Sequence, residues 1–195
     1  MAYNIDDLYK AIAWAETGSS KYNDPWIRTG DPFSKSTAYG PVQMTGGRGS
    51  MMRNVYNNPK MAKDMKIDKE ERNYIFRFLE QADRFRDPVS DEMGSLYGYA
   101  GPGVLRSDKD KALYERISKK IIEYEYGRHK KDIDAFIKDW RKKTEKDENN
   151  NDVVVEDVEY NRKFKKRLEK LEGTRALFPD DAVMEHALAD KTRVY

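Results

Sequence analysis

The 195 residues carry 37 Lys and Arg against 35 Asp and Glu, and this near balance, a net charge of +2, removes any general electrostatic case for a nucleic-acid binder. Charged residues make up 37% and apolar ones 38%, with a mean hydropathy of −0.98, so the chain reads as a soluble, helix-rich protein with long solvated faces around a limited core. Cysteine is absent, which excludes disulfides and thiolate metal ligands, and no apolar run approaches the roughly 20 residues that span a bilayer.

The opening stretch, MAYNIDDLYK, lacks a basic region followed by an apolar one, so no signal peptide is expected. A first helix is predicted from Asn4 as N-cap, with Asp6 and Asp7 in its first turn, Leu8, Ala11, Ile12 and Ala15 on one face, and Gly18 as its stop. From Ser19 to Gly49 the residues are mostly Gly, Ser, Thr, Pro and Asp with isolated aromatics, a long structured loop or short irregular sheet.

Helices resume at Asn58-Pro59 and again at Asp68, where Glu71 completes a capping box ahead of Ile75, Phe76, Leu79, Ala82 and Phe85; Pro88 ends that segment. A helical turn over 90–97 runs into the Gly/Pro-rich segment 98–103. Ser107 or Asp108 then caps a long helix bearing Leu113, Ile117, Ile121 and Tyr124, interrupted at Gly127. Ile133, Phe136, Ile137 and Trp140 mark another amphipathic segment, and residues 143–152 read as a polar linker.

Val153–Val155 fit either strand or helix. Phe164, Leu168 and Leu171 share one face of a highly charged helix closed by Gly173, and Pro179 opens a last helix. The expected organisation is a domain over 1–127 and a charged helical extension over 128–195.

Three segments stand out in order: Ala13-Trp14-Ala15-Glu16-Thr17-Gly18, then Ser36-Thr37-Ala38-Tyr39-Gly40-Pro41-Val42-Gln43-Met44-Thr45, then Tyr97-Gly98-Tyr99-Ala100-Gly101-Pro102-Gly103. Together they resemble the lytic transglycosylase and goose-type lysozyme families, a branch of the lysozyme superfamily, in particular their bacteriophage versions. In those families a Glu closes the first helix before Ser or Thr, a Gly-x-x-Gln-[Ile/Met]-Thr turn lines the cleft, and an Ala-Tyr-Asn-x-Gly-Pro-Gly turn supplies a tyrosine. Here Gly98 and Tyr99 stand where the third pattern has Tyr-Asn, so either Tyr97 or Tyr99 takes that place.

The resemblance covers about residues 5 to 125 and implies a mainly α, lysozyme-like fold with a small irregular or β element and a helical C-terminal extension. It implies cleavage of the MurNAc-GlcNAc β-1,4 bond of peptidoglycan without cofactor or metal, by Glu16 as acid and then base, leaving 1,6-anhydromuramoyl ends. By the same resemblance Tyr39, Gly40, Gln43, Met44, Thr45, Trp26 and Tyr97 or Tyr99 contact the sugar chain, and the protein acts in a phage particle or is released from the host cytoplasm to the wall.

The residues themselves support the choice of acid. A carboxylate in the last turn of a helix faces the negative end of the macrodipole, and apolar neighbours desolvate it. Both effects favour the protonated form that a glycosidic leaving oxygen requires. A hydrolytic muramidase needs a second carboxylate, for which the loop offers Asp24 or Asp31.

The rival expectation is a non-enzymatic virion protein of the same fold that binds other virion proteins through its C-terminal helices. His129 and His186 lie in charged helical stretches with no ligand pattern beside them, so neither zinc nor Ser-His chemistry is expected. The basic run 162–167 reads as the wet side of a helix, with Glu159, Glu169 and Glu172 as partners along it.

Overall fold

The computed structural model describes residues 3–17, 26, 38–86, 105, 107–148 and 151–177. The described chain is mainly α. Helices α1 (Ile5–Thr17), α2 (Met51–Asn57), α3 (Pro59–Asp64), α4 (Lys69–Arg86), α5 (Asp108–Arg128) and α6 (Ile133–Trp140) precede strands β1 (Lys142–Lys146) and β2 (Asp152–Glu156), and helix α7 (Val158–Leu177) follows them. Among the described residues no helix is long and apolar enough to cross a membrane.

Local signals account for most of the boundaries. Asn4 caps α1, its side-chain oxygen accepting from the Asp6 amide at 2.8 Å. Asn58 accepts from the Met61 amide ahead of Pro59, and Ser107 accepts from the Asp110 amide, which makes Ser107 the cap of α5. The capping box before α4 is complete: the Asp68 amide donates to Glu71 and the Glu71 amide donates to Asp68, both at 2.8 Å.

Glu71 does more than cap. Its side chain is fully buried and also accepts from Arg116 Nε and Lys120 Nζ of α5, each at 2.7 Å, so one carboxylate joins the start of α4 to the middle of α5. Charge-assisted bonds to a buried carboxylate rank among the stronger single contributions to stability. Glu71→Ala is expected to lower unfolding free energy by about 2–3 kcal/mol in a urea titration, with Glu71→Gln, which keeps the capping acceptor, losing less.

α5 is the hub. It packs against α1, α4 and α6, and Leu113, Tyr114, Ile117, Ile121, Ile122 and Tyr126 are buried on the faces it turns to them. The most extensive helix pairing, however, joins α1 to α7. Leu8, Ala11, Ile12 and Ala15 on α1 and Tyr160, Phe164, Leu168 and Leu171 on α7 all belong to one continuous apolar cluster. The pair is antiparallel: Tyr3 before α1 senses Glu169 and Glu172 late in α7, while Glu16 at the other end of α1 meets Tyr160 in the first turn of α7. The described part of the C-terminal extension is thus docked on the first helix and shares its core.

Four local expectations are corrected. The polar linker over 143–152 is a β-hairpin: Lys143 pairs with Val155, Thr144 with Val154 and Glu145 with Val153, while Asp147 and Asn151 close the turn by reciprocal hydrogen bonds. The β-branched run Val153–Val155 supplies the strand preference that the charged partner lacks.

A further helix, α2, opens at Ser50, whose hydroxyl accepts from the Arg53 amide; its seven residues are too few to register as a periodic pattern. Phe76 lies 45% exposed beside Tyr56 rather than in the core, which takes Tyr74, Ile75, Phe78 and Leu79 from α4. Gly173 does not end α7, which continues to Leu177. The predicted elements over 90–97 and beyond 178 lie outside the described residues.

Candidate functional site

Glu16 occupies the last turn of α1, directly before Thr17, whose hydroxyl donates to the Ala13 carbonyl at 2.7 Å. It is half-buried, and the elements that surround its carboxyl come from the far end of the chain. Arg141 caps the C-terminus of α6, Asp157 caps the N-terminus of α7 by accepting from the Tyr160 amide at 3.1 Å, and Tyr160 lies in the first turn of α7. Arg141 places its guanidinium over the Tyr160 ring, 5.8 Å from the centroid, with Nε 3.9 Å from Asp157 Oδ2.

Burial is the dominant influence on Glu16 and raises its proton affinity above that of an ordinary glutamate. The Asp157 charge pushes in the same direction. Arg141 and the Tyr160 hydroxyl pull against it without overcoming the desolvation. Tyr160 itself is held strongly in its protonated form by burial and by the neighbouring Glu16 charge. Its buried hydroxyl makes no well-formed hydrogen bond among the described residues; its approach to Glu16 is close enough for an electrostatic influence but is not a well-formed bond. The group can therefore hold a proton on a carboxyl above the usual carboxylate range, with a protonated phenol and a guanidinium beside it.

A raised glutamate has a definite signature in stability. Above its folded-state value the carboxylate is ionised in both states and only the folded state bears the desolvation cost. As pH falls through that value toward 4.5, the value of an unperturbed glutamate, the cost disappears. Glu16→Gln is therefore expected to melt higher than the unsubstituted protein at neutral pH, and the difference is expected to close as the pH is lowered past 4.5 in a series of thermal scans.

The second predicted segment forms a tight turn whose geometry is set from within. Tyr39 and Met44 bridge in antiparallel fashion, the Tyr39 amide donating to the Met44 carbonyl at 2.9 Å. The Tyr114 phenol of α5 locks this turn, donating to the Tyr39 carbonyl at 2.7 Å and accepting from the Met44 amide at 3.3 Å. Gly40 has φ of +76°, and a Cβ there would lie 2.2 Å from the Tyr114 ring. The glycine is thus required by close packing against α5.

Tyr39 and Met44 are buried at 3% and 6% exposure, so their side chains serve the core and do not line a surface for sugar rings. Gln43, at φ of +50°, donates its side-chain amide to the Gly40 carbonyl at 2.8 Å, and Thr45 is exposed. Trp26 is half-buried, edge-on to Tyr39 and Tyr114 with centroids at 5.9 and 5.3 Å, and Lys111 lies over its ring. Its ring joins the aromatic cluster beneath the turn. Tyr97 and Tyr99, with Asp24 and Asp31, lie outside the described residues.

Sequence reasoning identified Glu16 and its tendency to hold a proton but missed Arg141, Asp157 and Tyr160. Asp157 carried a readable signal, an N-cap residue ahead of a helix, yet nothing local indicated that this helix closes over Glu16. Compared with protein-family models, with curated proteins and with solved structures, the chain matches none.

Proposed function

We propose that this protein cleaves the glycan strands of peptidoglycan as a lytic transglycosylase, with Glu16 as its acid and base. The observation that carries this reading is the desolvated carboxyl at the end of α1, held above the usual carboxylate range. The three ordered motifs supply the substrate class. In the first step the Glu16 carboxyl donates its proton to the glycosidic oxygen as the bond to the anomeric carbon breaks. In the second, the resulting carboxylate removes the proton of the sugar 6-hydroxyl, whose oxygen closes on the anomeric carbon. The proton balance is restored and no water is consumed.

This route needs one carboxyl. Among the described residues, the carboxylate that acts on Glu16 is Asp157, which is engaged in capping α7 and facing Arg141, and this suits a positioning role better than activation of water. Hydrolysis by a muramidase remains the alternative within the same substrate class.

A second reading is favoured by the origin of Glu16's neighbours: Arg141, Asp157 and Tyr160 make the carboxyl part of the seam between α1 and α7. On this view Glu16 fastens the last described helix to the first, in a non-enzymatic particle component that inherited its fold. Digestion of purified peptidoglycan separates the readings. Released muropeptides lighter by one water than hydrolysed equivalents support the transglycosylase, reducing ends the muramidase, and no release by folded protein the fastening role.

A further inference from the structure

We infer that Glu125, His129 and Asp139 form a binding site for a divalent first-row transition-metal ion, independent of the Glu16 site and of the glycan-cleavage reading. Glu125 and His129 stand four residues apart at the end of α5, so the helix presents both to the same side. Asp139 comes from α6, which the turn after His129 folds back against α5.

One ligand atom from each of the three lies within 4.8 Å of the others, and His129 Nε2 is 3.3 Å from Asp139 Oδ2. Ligand atoms bound at about 2.0–2.2 Å from a common ion stand roughly 3–4 Å apart. The three are therefore within a small side-chain adjustment of a shared coordination sphere.

The surroundings suit an ion. Glu125 is 7% exposed, a buried carboxylate that needs a cation. At present Arg128 Nη1 provides it, at 3.0 and 2.9 Å from the two carboxylate oxygens, but Arg128 projects into solvent and can swing away. Phe136 packs edge-on to the His129 ring, 6.5 Å between centroids, which limits the orientations of the imidazole. Glu125 and Asp139, but not His129, also line a cavity of about 230 Å³ with Met51, Arg128, Phe136 and Trp140, which leaves room for water beside the two carboxylates.

One imidazole nitrogen with two carboxylates favours Zn²⁺ or Mn²⁺ over soft copper(I), which prefers sulfur, and over Mg²⁺, which keeps most of its waters. A bound ion would displace Arg128 and tie the end of α5 to α6. Arg128 thus competes with the metal for Glu125.

The test is isothermal titration of the full chain, freed of metal by a chelator, with Zn²⁺, Mn²⁺ and Mg²⁺. One Zn²⁺ per chain is expected, with a higher melting temperature. His129→Ala and Asp139→Asn are each expected to weaken binding by about tenfold or more, while Arg128→Ala tightens it and His186→Ala leaves it unchanged. Circular dichroism establishes that each variant is folded; Asp139→Asn, at a partly exposed position, keeps the test available if the histidine variant does not fold. Absence of stoichiometric Zn²⁺ binding, binding that survives both ligand substitutions, or binding that follows His186 overturns the proposal.

Discussion

Glu16→Gln is expected to abolish release of muropeptides from purified peptidoglycan, with turnover reduced by about a hundred- to ten-thousandfold, the range that a positioned general acid supplies. The amide has nearly the shape of the carboxyl but can neither give nor take the transferred proton. Binding of the insoluble substrate, measured by co-sedimentation, should change little. Glu16→Asp should also fall steeply, because shortening the side chain withdraws the carboxyl from its position at the end of α1.

Tyr160→Phe distinguishes catalysis from fastening. The hydroxyl lowers the proton affinity of Glu16, so its removal should move the alkaline limb of the pH–rate profile to higher pH while the ring keeps its place in the core. A profile unmoved by Tyr160→Phe would detach the α7 residues from the chemistry. If Glu16→Gln retains full activity, Glu16 is not the acid. If it lowers the melting temperature at neutral pH, the fastening role prevails over the desolvation argument.

The second large effect concerns Gly40. Alanine at this position meets two separate penalties: a positive φ that disfavours a side chain, and a Cβ driven into the Tyr114 ring at 2.2 Å. Tyr114 is held by its bonds to the Tyr39 carbonyl and the Met44 amide and is buried in the core, so it has no room to yield. Backbone strain of about 1–3 kcal/mol and overpacking of about 1–3 kcal/mol together predict a loss near 4 kcal/mol in chemical denaturation. Gly40→Ala with Tyr114→Ala should lose less than the sum of the two single substitutions, because the cavity receives the new methyl group. A glycine retained for sugar contact alone would instead raise KM and leave stability intact.

Helix starts were the most legible part of the sequence, because a cap is written within four residues: Asn4, Asn58, the Asp68/Glu71 pair and Ser107 all act as read. The apolar stripes of α1, α5 and α7 were legible for the same reason of local period. Errors arose where a distant partner decides the outcome. Only Thr144 in Lys142–Lys146 favours a strand; the segment becomes one because Val153–Val155 pair with it.

The burial of Tyr39 and Met44 and the close packing at Gly40 were not legible for the same reason. Their order matches a turn read as lining a cleft, but α5 delivers Tyr114 beneath that turn and draws their side chains into the core. Glu16 was legible as a residue and its surroundings were not: position at a helix end is local, whereas its cover by α7 is a long-range contact.

The antiparallel union of α1 with α7 sets the order in which a newly made chain acquires its properties. Synthesis delivers α1 early and α7 only after every other described element, so the part of α1 that α7 covers must remain open, or be sheltered by a chaperone, until most of the described chain has emerged. Throughout that interval the Glu16 carboxyl lacks the cover that α7 gives it in the folded chain. A truncated chain without α7 therefore lacks both Tyr160 and Asp157, two of the groups that set the proton affinity of Glu16.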